Sequence, residues 1–229
     1  MVIFCGGLAT RLGDHAKDIP KSMIQIEGKP FLEYQIEMLK KQSIKDIVLC
    51  AGHLSEKIIE YFGNGEKYGV NIQYSHDGDK PLGPIGALKK AESLLENIFF
   101  TMYGDSYVFI DFKRVYSYFS QYDKKALMVV YQNNDRYDIS NIVVNNGRVT
   151  RYNQEKTPDM KYIDYGVQIF RKKILKNIQK NTFFSTKDFF PKLIKENELL
   201  AFEANKRFYH IGNLKALEEF KKYVKTIKD

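Results

Sequence analysis

A chain of 229 residues stays under the roughly 250 at which single cores stop growing, so one domain is expected. Hydrophobic content of 44% and aromatic content of 14% exclude a disordered or fibrous chain, and the longest apolar runs, such as NIFFTMYG, fall far short of a membrane span of roughly 20 residues. A net charge of +8 does not by itself mark a nucleic-acid binder: the lysines are spread along the chain and gather in amphipathic stretches such as KALEEFKKYVKTIKD, where they form a solvated helix face.

The first element is MVIFC, a short apolar run read as a strand ending at Gly6. No basic segment, apolar stretch and small-residue cleavage site come before it, so a cytoplasmic location without a membrane partner is expected. PFLEYQIEMLKKQSI places Phe31, Leu32, Ile36 and Leu39 at helical spacing, and DIVLCAG is a second buried strand. Strand, glycine loop, helix, strand predicts a parallel crossover. SEKIIEYFGNG reads as a helix stopped by Gly63, VNIQYS as a strand, GALKKAESLL as a helix, and NIFFTMYGDSY as a central strand ending at Gly104 and Asp105. Cys5 and Cys50 close apolar runs with no second Cys or His at ligand spacing, so they are read as core residues in a reducing compartment.

Beyond this point ALMVVYQ, SNIVVNNGRVTRYNQ and YIDYGVQIF are strand-like, and Asn146-Gly147 marks a hairpin. FSTKDFFPKLIKEN and NLKALEEFKKYVKTIK look helical, with Ser185 or Thr186 as the cap of the former. The order predicts an α/β fold, Rossmann-like, in a single domain with a mixed central sheet. No internal repeat, linker or trailing hexapeptide β-helix is present in the pattern.

The opening stretch CGGLATRLGDHAKDIPKSM carries the chemistry. A glycine turn after a strand exposes main-chain N–H groups that suit anionic oxygens. It matches neither the Gly-Lys-Ser/Thr loop nor the G-x-G-x-x-G fingerprint. Arg11 offers a planar donor for a di- or triphosphate, and Lys21, after Pro20, adds a point charge. Taken alone the stretch also reads as an ordinary turn with two surface cations.

FCGGLATRL followed by KDIPKSMIQIEGKPFLEYQIEML resembles the signature of the sugar-phosphate nucleotidyltransferases: a glycine loop with Thr-Arg-Leu, then Pro-Lys-x-Met, then Gly-Lys-Pro. PLGPIGALKKA, MYGDSYV, NQEKTPDMKYIDYGVQIF and FYHIGNLKALEEF continue the resemblance in order, and the chain looks like the short bacterial enzymes that activate heptose or hexose 1-phosphates for surface polysaccharides. The resemblance implies a nucleotide-diphospho-sugar transferase fold, with residues 1–110 as nucleotide-binding half and 111–229 as acceptor-binding half. It implies transfer of NMP from a nucleoside triphosphate to a phosphate monoester, a sugar 1-phosphate above all, with release of pyrophosphate. Arg11 and the loop from Gly6 through Gly7, Leu8, Ala9 and Thr10 would hold the β- and γ-phosphates, and Lys21 the α-phosphate. Asp105 would ligate Mg²⁺ or Mn²⁺, although an Asp there also serves to cap a loop. Glu155 and Lys156 would meet the hydroxyls and phosphate of the acceptor, although such a pair also occurs as plain surface charge. Gly166 would let the acceptor approach backbone, with Asp164 and Tyr165 shaping specificity. Gly83 would lie against the nucleobase, and His53 and His76 are read as polar wall residues.

Two positions depart from the family pattern. Pro84 stands where many relatives carry Thr, which leaves the base open. His210 stands where relatives usually carry Asp as a second metal ligand, and imidazole suits softer metals than Mg²⁺. These departures keep two other readings in play: a CTP-dependent enzyme acting on a phosphorylated non-sugar such as phosphocholine or a phosphorylated amino acid, and a nucleotide sensor without turnover. The partners expected are small molecules, with the protein a monomer or a homodimer.

Overall fold

The computed structural model describes residues 1–7, 18–52, 54–78, 80–153 and 155–227. In chain order the elements are β1 (Val2–Phe4), β2 (Gln25–Ile26), β3 (Lys29–Pro30), α1 (Phe31–Lys41), β4 (Asp46–Ala51), α2 (Ser55–Phe62), β5 (Asn71–His76), α3 (Gly83–Lys90), β6 (Ile98–Tyr103) and β7 (Ser106–Tyr107). They continue with α4 (Phe112–Ser120), β8 (Ala126–Gln132), β9 (Ile142–Asn145), β10 (Arg148–Tyr152), β11 (Tyr162–Arg171), α5 (Thr186–Lys195), β12 (Leu199–Ala204), β13 (Tyr209–His210) and α6 (Leu214–Thr226). Two compact units divide the chain. One comprises residues 1–81, 102–107 and 208–229, the other 82–101 and 108–207, so β6 contributes to both.

In the first unit the strands run β5, β4, β1, β6, with β1–β4 and β4–β5 parallel as the strand-helix-strand pattern requires. Strands β1 and β4 are apolar on both faces, as buried parallel strands are: Val2, Ile3, Ile47 and Leu49 are all buried. Helix α1 turns Leu32, Ile36 and Leu39 inward at helical spacing and ends with Lys40 and Lys41, cations that suit a helix C-terminus. Helix α6 starts where the Asn213 side chain accepts the Ala216 N–H at 3.0 Å. Its buried stripe of Leu217, Phe220 and Val224 packs with Ile24, Ile26, Phe31, Tyr34 and Ile211. Phe220 meets Phe31 edge-on at 5.0 Å and lies 5.2 Å from Tyr107, so the last helix of the chain closes over its early segments.

The second unit runs β6, β11, β8, β12, β10, β9, a mixed sheet in which β12–β8 is parallel and β11–β8 antiparallel. The run ALMVV of β8 is buried throughout, as a central strand between two neighbours should be. Asn146 and Gly147 both take positive φ, 49° and 70°, which makes the tight turn of the β9–β10 hairpin. Ser185 is the cap of α5, accepting from the Asp188 N–H at 3.3 Å.

The two-residue strands β2, β3, β7 and β13 are absent from the sequence-based pattern, and so are two longer elements. Helix α4 begins at Asp111, whose carboxylate accepts the Arg114 N–H at 3.1 Å, and buries Phe112, Val115 and Phe119. Strand β12, from LLAFEA, adds a parallel partner to β8. The expected α/β class with a mixed sheet is what forms. Among the described residues no helix is long and apolar enough to cross a membrane.

Candidate active site

The first unit gathers its polar chemistry at the carboxyl end of β6. The chain leaves that strand through Gly104, where a Cβ would lie 2.5 Å from the Phe4 carbonyl oxygen of β1, so only glycine lets the two backbones touch. Asp105 follows, and β7 then pairs antiparallel with β13, setting His210 opposite Ser106. The Ile211 N–H donates to the Asp105 carbonyl at 3.0 Å. From below, the fully buried Gln35 of α1 donates through Nε2 to the carbonyls of Tyr103 at 2.9 Å and Ser106 at 2.6 Å, which clamps both sides of the Gly104–Asp105 turn. Lys21, on the short turn after Pro20, forms an ion pair with Asp105 Oδ2. Three residues singled out in the sequence, Lys21, Asp105 and His210, are thus brought together.

Burial of Asp105 acts to raise its pKa, but the Lys21 ammonium, by charge and by hydrogen bond, outweighs it with help from His210 and Ser106 and holds the carboxyl below the usual range. The side chain still keeps 31% of its surface open, so a ligand can reach it. His210 Nδ1 accepts the Gly212 N–H at 3.0 Å, which fixes the ring and leaves Nε2 as its second nitrogen. A Cβ at Gly212 would lie 2.8 Å from that Nδ1.

No group of three or more His, Cys, Asp or Glu side chains placed to hold a metal ion occurs among the described residues. One carboxylate beside one imidazole does not cage a cation. The Asp105 carboxylate fits Mg²⁺, which keeps its waters and takes one or two carboxylates together with phosphate oxygens, whereas the imidazole suits a softer divalent metal.

At the ends of β1 and β4 the backbone is bare. A Cβ on Gly6 would lie 3.3 Å from the Gly52 nitrogen, and one on Gly52 3.4 Å from the Gly6 Cα, so the strands abut without side chains. A Cβ on Gly7 would meet nothing within 4 Å among the described residues. Leu8, Ala9, Thr10, Arg11 and His53 lie outside the described residues. His76 Nδ1 is 3.1 Å from the Ser55 hydroxyl, a surface contact. Cys5 and Cys50 are buried free thiols, and burial pushes Cys5 up to about 12.

The second unit holds the remaining predicted residues. Gly83 opens α3 with φ +69°, and a Cβ there would meet the Phe184 carbonyl oxygen at 2.8 Å, so the chain's own packing already requires the glycine. Pro84 lies in the first turn of α3, where a missing N–H costs no helix bond. Gly166 sits with φ +87° in a bulge where β11 and β8 lose register between Asp164 and Gln168. The bulge folds Asp164 back on itself: Oδ1 accepts from the Gly166 N–H and from Gln168 Nε2, both at 2.9 Å, and Gln168 in turn accepts from Thr101 at 2.7 Å. Tyr165 is fully buried, its hydroxyl accepting from the Phe109 N–H and donating to the Lys206 carbonyl, which makes it a strut of the fold and not a specificity contact. Glu155 is exposed, and Lys156 forms an ion pair with Asp135, whose other oxygen accepts the Ser140 N–H at 2.8 Å.

Sequence reasoning passed over Gln35, Gly212 and Asp135. Gln35 left a trace, a polar residue on the apolar stripe of α1, whereas the others acquire meaning only from distant partners.

The sequence profile of the nucleotidyl transferase family matches residues 1–226. The chain belongs to that family. It is an enzyme of the nucleotidyltransferase class. A D-glycero-alpha-D-manno-heptose 1-phosphate guanylyltransferase of Campylobacter jejuni is 33% identical over 213 residues, 92% of this chain and 93% of that protein. Another, from Aneurinibacillus thermoaerophilus, is 28% identical over 97% of this chain and 99% of its own length. Among solved structures, HddC from Yersinia pseudotuberculosis is 27% identical with a TM-score of 0.83, covering 97% of this chain and 98% of that one, and it has also been solved with GMP-PN.

Proposed function

We propose that this nucleotidyltransferase moves GMP from GTP to the phosphate of a sugar 1-phosphate, of the heptose class, and releases pyrophosphate. The observation that carries this is the end-to-end similarity to heptose 1-phosphate guanylyltransferases in a chain that pairs Lys21 with Asp105 at the end of a central strand. The sugar-phosphate relatives speak for this acceptor over a phosphorylated non-sugar.

The acceptor phosphate is the nucleophile. Its second pKa is about 6, so its oxygen is ionised at neutral pH and no general base is required. That oxygen forms a bond to the α-phosphorus, the bond from phosphorus to the bridging oxygen breaks, and pyrophosphate leaves with the electron pair. Catalysis then consists of alignment and of charge compensation between two polyanions. Main-chain amides from Gly6 to Thr10 and the Arg11 guanidinium would hold the outer phosphates. Lys21, paired with Asp105, would exchange that carboxylate for an α-phosphate oxygen. Asp105, with His210 beside it, would hold a divalent cation, Mg²⁺ in first place, which supplies positive charge to the phosphate oxygens when bound. In the second unit Lys156 would exchange Asp135 for the acceptor phosphate, Glu155 would meet hydroxyls, and the bulge at Gly166 would present Asp164 and main chain to the sugar.

The test is pyrophosphate release from each of GTP, CTP, UTP, dTTP and ATP against heptose, mannose and glucose 1-phosphates and phosphocholine, with Mg²⁺ or Mn²⁺. Signal from GTP with a sugar 1-phosphate is expected. Release only from CTP with phosphocholine, or from no pair while nucleotide still binds, overturns the proposal.

A further inference from the structure

Across the β7–β13 ladder from Ser106, the ring of His210 is held the opposite way round from a metal ligand. Its Nδ1 accepts the Gly212 N–H at 3.0 Å. The fit is close: a Cβ on residue 212 would lie 2.8 Å from Nδ1 and 3.3 Å from Cε1, so only glycine lets the main chain come up against that edge of the ring. A ring nitrogen that accepts carries no proton, and a neutral imidazole then bears its proton on Nε2; an imidazolium bears one there as well. In either charge state Nε2 has no lone pair to give a cation, and the lone pair of Nδ1 is committed to Gly212. A ligating histidine is set up in reverse, its second nitrogen donating to a carbonyl or a carboxylate so that the first is bare. Imidazole as a residue type suits a softer divalent metal, but this ring is turned to donate.

Its surroundings suit an anionic acceptor. The Lys21 ammonium nitrogen lies 3.7 Å from the same Cβ point on residue 212, so cation and imidazole flank one glycine. Lys21 is paired with Asp105, whose carbonyl accepts the Ile211 N–H at 3.0 Å and so ties the Asp105 turn to the residue after His210. An ammonium and an N–H side by side make a donor set for phosphate oxygen and not for a metal. We propose that His210 donates its Nε2–H to an oxygen of the nucleotide's phosphates beside Lys21, and that the divalent cation takes Asp105 without it. This rests on the nucleotidyl-transfer reading above and deepens it, by exchanging a metal-ligand role for a substrate contact. With the nitrogen withheld, the cation is served by oxygen, which favours hard ions such as Mg²⁺ and Mn²⁺.

The experiment compares the full chain with His210→Phe, which keeps a ring and loses both nitrogens, and with His210→Gln, whose amide restores a donor; thermal melting confirms that each folds. Long-range ¹H–¹⁵N NMR of the unaltered protein, with the His210 signals assigned by their loss in either variant, should show Nε2 protonated with and without Mg²⁺. Calorimetric titration without nucleotide should give His210→Phe the same affinity for Mn²⁺ and for Co²⁺ as the unaltered protein. GTP binding measured in EDTA should fall about tenfold in His210→Phe, the scale of one hydrogen bond to a charged partner, and return to within about threefold in His210→Gln. A proton on Nδ1 with Nε2 bare, or weaker Mn²⁺ or Co²⁺ binding in His210→Phe, overturns the assignment. Equal GTP binding by all three proteins, with pyrophosphate still released from GTP and a sugar 1-phosphate, would strike this inference alone. GTP binding that depends on His210 without pyrophosphate release would strike the transfer reading alone, and absence of GTP binding by the unaltered protein would overturn both.

Discussion

Asp105 and Lys21 are each legible from their neighbours in the sequence, one after a glycine at a strand end and the other after a proline. Their ion pair is not, since it joins positions 84 apart. The pair keeps a carboxylate charged where burial opposes charge. Asp105→Asn keeps the shape and removes the charge, so the fold should persist while kcat falls on the order of 10²–10³ or more, the scale for loss of one electrostatic contact to a phosphoryl transition state. Pyrophosphate release and far-ultraviolet circular dichroism check the two halves of that expectation, and near-normal rates would remove Asp105 from the chemistry. Cys5 and Cys50 were read correctly as core residues because their surroundings in the sequence are apolar, and burial needs no distant partner to be inferred.

Among the elements, α1 does more than its amphipathic pattern announces. Leu32, Ile36 and Leu39 anchor it, and Gln35 on the same face clamps the carbonyls of Tyr103 and Ser106 on either side of the turn that carries Asp105. Gln35→Ala leaves both carbonyls in a buried site without that donor, a loss of about 1–3 kcal/mol. Denaturant unfolding should report that loss, and kcat should fall more than the KM for nucleotide rises, because the turn loosens while the glycine loop is untouched. Equal stability and rate would show that the clamp is idle. The bulge in β11 is of the same kind: Gly166 is visible in the sequence as a glycine inside a strand, but only the register shift against β8 explains its positive φ. Helix α4 and strand β12 are missing from the pattern although the Asp111 cap and the apolar run LLAF were present to be used.

At the scale of the molecule, packing sets a pH limit. Burial, aided by carboxylates at Tyr34 and Tyr152 and by Cys5 and Tyr68 at Tyr74, pushes Tyr34, Tyr74 and Tyr152 each up to about 12, against about 10 in an unfolded chain. The folded state therefore holds their protons after the unfolded state has released them. With fewer protons on the unfolded chain, stability is full below about pH 9 and declines as pH rises from about 10 towards 12. Melting temperatures at pH 8, 9.5 and 10.5 should fall across that series, and a flat series would show that these hydroxyls ionise freely in the native protein.

Sequence alone determined what depends on neighbours along the chain: the α/β class, the strand, glycine-loop and helix order, the hairpin at Asn146-Gly147, and the residue types suited to phosphate chemistry. Those properties follow from local periodicity, backbone freedom and side-chain charge, all of which a short window contains. The tertiary structure alone decided that residues 208–229 join 1–81 in one unit, that His210 stands across from Ser106 beside Asp105, and that Gln35 holds the turn between them. Those facts arise because strands pair and helices bury their faces without regard to sequence distance, so the partner of a side chain is chosen by packing and not by proximity in the chain.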